Sequence, residues 1–129
     1  SQPRGLSPCS LQGDRMNLRA FSALNLRRCN RWHPAGVNSW SLSDWAVATA
    51  GELGEACNII KKLNRSRDGL TGNRGVTDDE LRAQLADELA DVACYLDLLA
   101  QAAGVDLSEA IARKFNEVSE RNGFPERVE

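Results

Sequence analysis

The sequence predicts an all-α protein with the architecture of a four-helix bundle. Apolar residues recur at three- and four-residue spacing through most of the chain, which is the period of an amphipathic helix. Helix-capping residues and glycines divide this pattern into four segments, and no stretch alternates in the period-two manner of a β-strand. We expect oligomerisation to complete the bundle, because a chain of 129 residues often finishes its core by association.

The first two helices are separated by a proline and by serines that can cap a helix. The first is predicted over residues 17–33 and is broken by Pro34. The second is predicted to begin near Ser41 or Ser43, because a serine side chain accepts from the free N–H groups of a first turn. It is expected to run to about Asn64.

The last two helices each carry a start signal and a stop signal. Residues 77–80 (TDDE) form a capping box for the third helix, and residues 106–109 (DLSE) form another for the fourth. Gly104 and Gly123 stand where a helix commonly ends in a left-handed residue. The domain is therefore predicted over residues 16–129. Residues 1–15 are expected to be a tail, either vector-derived before Met16 or pinned at an interface.

Composition and charge exclude several classes of function. A net charge of −2 argues against binding a nucleic acid polymer, which requires a basic face. No run of about 18 apolar residues suggests a membrane span, and no secretory signal is visible. The four cysteines lack CxxC spacing, so we expect reduced thiols in a cytoplasmic protein, with Cys57 and Cys94 in the core.

Four carboxylates fall where apolar side chains are expected. On a helical wheel, Glu52 lies within the apolar stripe of the second helix, and Glu55 lies ~60° to its side. Glu88 and Asp91 repeat this arrangement on the third helix. Buried ionised carboxylates are unfavourable unless they are paired, and a shell of oxygen ligands suits Mg²⁺ or Mn²⁺. The alternative is that these pairs lie on solvated helix faces. An oxidative di-iron bundle would need Glu-x-x-His pairs, which are absent from the sequence.

The acidic positions also form motifs. Residues 51–55 (GELGE) are followed by Lys61-Lys62, residues 88–91 (ELAD) are followed by Tyr95, and Lys114 lies on the last helix. This ordered combination resembles the MazG-like all-α NTP pyrophosphatase superfamily, which includes MazG, dCTPase and dimeric dUTPase-like enzymes. The resemblance covers roughly residues 20–124.

The resemblance implies a Mg²⁺-dependent enzyme for nucleotide pool housekeeping. Such an enzyme converts a (d)NTP and water to the (d)NMP and pyrophosphate, and works as a homodimer or homotetramer. Carried over, Glu52, Glu55, Glu88 and Asp91 become metal ligands and catalytic residues. One departure is Val118, where some relatives carry an asparagine. A non-catalytic nucleotide-binding or regulatory homologue is the alternative.

Further residues are candidates for binding the substrate. Basic residues near the acidic helices would meet phosphates, and an aromatic and amide segment upstream would stack on the base and read its edge. Each has a structural alternative: a solvated lysine or arginine, an aromatic core or interface anchor, and, for Tyr95, a core position with its hydroxyl in the site. The substrate-binding candidates are Lys62, Lys114, Arg121, Tyr95, Trp32, His33, Asn38 and Trp40.

Overall fold

A computed structural model describes residues 17–129, and this part of the chain is all helical, as the sequence predicts. Four α-helices follow one another, with a short 3₁₀ helix between the first two and no strand within the described range. None of these helices is both long and apolar enough to cross a membrane. The predicted tail, residues 1–15, lies outside the described residues. The helices are α1 (Leu18–Trp32), the 3₁₀ helix (Gly36–Ser39), α2 (Leu42–Arg67), α3 (Asp78–Ala102) and α4 (Leu107–Arg121).

The predicted start signals act as caps. Of the two serines proposed for α2, Ser41 is the N-cap and forms a reciprocal capping box with Asp44. Thr77 does the same with Glu80 at the start of α3, and Asp106 accepts from the backbone of the first turn of α4. Local sequence therefore sets where each of these helices begins.

Two predicted details of the helices are wrong. α2 continues to Arg67 instead of ending near Asn64, and its last carbonyls are closed by the backbone N–H groups of the following turn. Cys57 is exposed, not a core residue, although it is a free thiol like Cys29 and Cys94. Helical periodicity placed it inside α2 but could not show which side the neighbouring helix covers.

The long helices α2 and α3 make the most extensive contact of the fold. Ala56 on α2 and Leu81 on α3 are fully buried. A second core cluster joins α1 to both, and consists of Cys29, Trp45 and Leu98, with partly buried apolar residues around it. α4 contacts α3 far less extensively than α2 does, which leaves much of its apolar face open.

Candidate metal centre and adjoining aromatic cleft

Three of the four predicted carboxylates meet between α2 and α3. Glu52, Glu55 and Glu88 each offer one carboxylate oxygen, and these oxygens all lie within 4.8 Å of one another. The first two are three residues apart on α2, so they share a face of that helix. Packing of α3 against the same face brings in Glu88.

Two oxygens of this cluster have no hydrogen-bond partner among residues 17–129. Glu52 Oε2 and Glu88 Oε2 are buried and accept no hydrogen bond from any residue in the described range. A buried acceptor that forms no hydrogen bond destabilises a protein by about 1–3 kcal/mol, and by more when it is charged. The cluster is therefore left without the donors that usually accompany buried carboxylates.

Burial and the proximity of other carboxylates raise the pKa values of Glu52 and Glu88. The pKa of Glu88 is raised to about 7, first because its protonated carboxyl can donate a hydrogen bond to Glu55, and then because of burial and repulsion. The pKa of Glu52 is also raised, chiefly by burial and then by repulsion from Glu55. The cluster thus disfavours three simultaneous negative charges in the absence of a cation.

The donor set fits a hard divalent cation. All three side chains supply oxygen, two of the oxygens need a partner, and the excess negative charge needs neutralising. Mg²⁺ and Mn²⁺ prefer such carboxylate ligands, whereas zinc sites usually recruit histidine or cysteine. Glu52, Glu55 and Glu88 are the residues that could hold the ion.

Asp91, the fourth predicted ligand, lies beside this group and is not one of the three. Its charge contributes to raising the pKa of Glu52, which shows that the two carboxylates are close. Asp91 is otherwise exposed and lines a neighbouring cleft. It therefore connects the acidic cluster to that cleft.

Aromatic side chains form one wall of the cleft. Trp45 is buried at their centre, with its ring centroid 4.5 Å from that of Trp40 and 6.2 Å from that of Tyr95. The His33 ring packs edge-on against Trp40 at 5.0 Å. Trp45 donates a hydrogen bond from Nε1 to the carbonyl of Val37 in the 3₁₀ helix, which fixes this segment against α2.

The predicted base-binding residues divide between the cleft and its surroundings. Trp32, His33 and Tyr95 line the cleft. Trp32 is 67% exposed, and the guanidinium carbon of Arg28 lies 5.0 Å from its ring centroid. Trp40 belongs to the aromatic cluster without lining the cleft, and Asn38 is exposed on the 3₁₀ helix.

The predicted phosphate-binding cations do not neutralise the acidic cluster within this chain. Lys114 Nζ lies 3.6 Å from Glu117, and Arg121 pairs with the same carboxylate at 3.0 Å, both on the exposed side of α4. Lys62 is half-buried near the end of α2, where its carbonyl accepts a hydrogen bond from Asn73. The charges that shift the pKa values of the cluster are those of carboxylates.

The sequence analysis missed a polar network beside the cleft. Asp97 on α3 and Asn25 on α1 are buried and hydrogen-bonded to each other, and Asn25 lines the cleft. The available signal was Asp97 itself, an acidic residue within an apolar run of α3. Nothing local identified its partners on α1, Ser22 and Asn25, which are about 70 residues away along the chain.

Comparison with known proteins finds a similarity to a phage protein. The chain is 36% identical over 80 residues to the gene 37 protein of Mycobacterium phage L5. The matched segment covers 62% of this chain, and it spans 65% of the phage protein, which is less than two thirds of its length. No family model matches the chain, and no solved structure matches it.

Proposed function

We propose that this protein is a Mg²⁺-dependent nucleoside triphosphate pyrophosphohydrolase of the MazG-like type. The observation that carries the proposal is the triplet Glu52, Glu55 and Glu88, in which two buried carboxylate oxygens form no hydrogen bond with the described part of the chain. Structural carboxylates are normally satisfied by donors or cationic side chains. Carboxylates left open in this way are suited to a cation that arrives with a phosphate-bearing substrate.

The chemistry needs no covalent nucleophile. When bound, Mg²⁺ would neutralise phosphate oxygens and lower the pKa of a water molecule. Glu52, Glu55 and Glu88 would hold the ion, Asp91 would stand between the ion and the cleft, and one of these four carboxylates would orient the attacking water. The products would be the nucleoside monophosphate and pyrophosphate.

The adjoining cleft supports a nucleotide as the substrate. Trp32, His33 and Tyr95 provide ring faces and edges on which a base can stack, and Asp91 joins them to the acidic cluster. Arg28 adds a positive charge at the same cleft. A nucleoside triphosphate fits this arrangement, because its base would lie in the cleft while its phosphates reach the adjacent metal site.

The decisive test measures which products form. The full chain is incubated with a panel of canonical and modified NTPs and dNTPs, with Mg²⁺ or with EDTA, in ¹⁸O-labelled water. We expect Mg²⁺-dependent pyrophosphate release, with the label in the monophosphate because water attacks the α-phosphorus. Release of orthophosphate and a diphosphate would contradict the proposal. Nucleotide binding without turnover across the panel would favour the regulatory alternative.

The proposal includes a homodimer or homotetramer. On α4, Ile111, Phe115 and Val118 are large apolar side chains in the exposed class, on a helix that packs only slightly on the rest of the chain. Light scattering of the full chain should give a mass of two or four copies. Phe115→Glu should lower that mass, whereas Glu109→Gln on the same helix should not. A fully active monomer would refute this part of the proposal.

A further inference from the structure

Asp97 is a buried carboxylate that is satisfied entirely by neutral donors. Its side chain has no solvent exposure. Ser22 Oγ donates to Oδ1, while Asn25 Nδ2 and Gln101 Nε2 each donate to Oδ2 at 2.9 Å. Two of these donors belong to α1 and one to α3, so the carboxylate ties the two helices together.

The network fixes the orientation of the Asn25 side-chain amide. Asn25 Nδ2 donates to Asp97 Oδ2 and to the backbone carbonyl of Cys94, both at 2.9 Å. A carboxylate and a carbonyl only accept, so the amide nitrogen, and not the amide oxygen, must face them. Both hydrogens of that nitrogen are thereby used, and Asn25 Oδ1 accepts no hydrogen bond from another residue between 17 and 129.

Asn25 lines the same cleft as Trp32, His33, Tyr95 and Asp91. Its nitrogen is occupied on the α3 side, so the group that it can offer to a ligand is the acceptor Oδ1. Buried polar atoms of a binding site discriminate strongly between ligands that can and cannot pair with them. An acceptor here would favour ligands that present an N–H donor.

From this geometry we infer that Asp97 is a positioning residue that holds Asn25 as a hydrogen-bond acceptor in the cleft, so that the cleft selects nucleobases with an N–H donor at that edge. The inference rests on the proposed function, because it takes a nucleobase as the occupant of the cleft. It assigns part of base selection to α1 and α3, and not to the aromatic segment alone.

A suitable variant separates the hydrogen-bonding role of the Asp97 carboxylate from the space that its side chain fills. Asp97→Leu keeps a side chain of similar size but removes both accepting oxygens, so that the Cys94 carbonyl alone holds the nitrogen of Asn25. The amide of Asn25 is then held less firmly, and its oxygen is presented to the cleft less consistently. Ser22→Ala is the matched control, because it removes one donor to Asp97 and leaves the carboxylate an acceptor.

The test measures binding of non-hydrolysable α,β-methylene triphosphates to the full chain by calorimetry with Mg²⁺. The ligands form matched pairs that differ in one donor group of the base: cytidine and its 2-pyrimidinone analogue, adenosine and its purine analogue, uridine and 3-methyluridine. We expect the natural protein to prefer the donor-bearing member of at least one pair by about tenfold, the value of one hydrogen bond. Ser22→Ala should retain that preference, and Asp97→Leu should reduce it.

Each outcome decides the inference. Absence of a donor preference in the natural protein, or an unchanged preference in Asp97→Leu, overturns it. If thermal melting shows that Asp97→Leu is unfolded, Asn25→Ala replaces it, and a preference retained in that variant overturns the inference. Donor preference without turnover of natural triphosphates refutes only the proposed function, whereas turnover without donor preference refutes only this inference. Failure of every analogue to bind refutes both.

Discussion

Asp97 and Glu88 are two carboxylates of α3 that are removed from water to different degrees, and the chain satisfies their oxygens differently. Asp97 is fully buried, and three donors from neighbouring side chains satisfy its carboxylate. Glu88 is half-buried among other carboxylates, and one of its oxygens has no partner in the described part of the chain. The first arrangement is complete within the fold. The second leaves an acceptor that no residue of the described range satisfies, and this difference separates a structural carboxylate from a candidate metal ligand.

The helix geometry explains how one element serves both purposes. Glu88 and Asp97 are nine residues apart, which places them ~180° apart around a helix. The Glu88 face is turned toward α2 and its glutamates, whereas the Asp97 face is turned toward α1. α3 is therefore the element that positions both the acidic cluster and one wall of the aromatic cleft.

The largest expected effect is the loss of catalytic turnover when carboxylates of the acidic cluster, or the neighbouring Asp91, are replaced by amides. Glu52→Gln, Glu55→Gln, Glu88→Gln and Asp91→Asn should each reduce Mg²⁺-dependent pyrophosphate release by about 100-fold or more, because each removes charge that stabilises the metal and the reacting water. Circular dichroism should show folded helical protein. Asp87→Asn, next to Glu88 in the sequence, is the control and should remain active. Near-normal rates in any two of the four variants would refute the assignment.

In contrast, removal of the Asp97 carboxylate should mainly lower the stability of the protein. Asp97→Ala leaves buried donors of Ser22, Asn25 and Gln101 without their acceptor and should lower the free energy of unfolding by about 3 kcal/mol. Urea denaturation measures this effect, with the exposed Asp79→Ala as control. Equal stability of the natural protein and Asp97→Ala would show that the network contributes nothing, and would remove the contrast between the two regions.

The sequence predicted the helices well because their signals are local. Ser41, Thr77 and Asp106 cap the helices that they were expected to start, and periodicity placed Glu52 and Glu88 toward the interior. The Asp97 network could not be predicted, because its donors on α1 are remote in sequence and only tertiary packing brings them to α3.

Sequence periodicity did not predict how exposed the apolar face of α4 is. On a helical wheel Lys114 shares the apolar stripe of this helix with Ile111, yet Ile111 and Phe115 are about half exposed and Lys114 pairs with Glu117. A helical wheel identifies an apolar face but does not show whether another helix of the same chain covers that face.

The next prediction separates base stacking from core packing at the cleft. Trp32 is exposed at its rim, so Trp32→Ala should weaken nucleotide binding by about 1–3 kcal/mol and leave unfolding unchanged. Trp40 packs against the buried Trp45 and His33, so Trp40→Ala should lower stability as well. Calorimetry and thermal melting measure the two effects. Unchanged base preference in both variants would show that the aromatic segment does not read the base.

The smallest expected effect concerns how the open cluster responds to pH when no metal is present. The pKa of Glu88 is raised to about 7 from an ordinary value of 4.5, so the folded protein retains a proton that the unfolded chain releases. The free energy of unfolding in EDTA should therefore fall as the pH rises from about 4.5 to about 7, and level off above that. The carboxylates with lowered pKa values, Asp68, Asp106 and Glu117, act in the opposite direction but below this window.

This pH dependence shows whether the repulsion among Glu52, Glu55 and Glu88 persists in the absence of a cation. Urea denaturation in EDTA between about pH 5 and about pH 8 should show the decline for the natural protein and a flatter profile for Glu88→Gln, since glutamine carries no proton to lose. Mg²⁺ competes with that proton, so its affinity should rise across the same window and its addition should restore stability at the upper end. A profile that is unchanged by Glu88→Gln would show that repulsion among the three glutamates is relieved within the chain, and that the cluster does not need a cation.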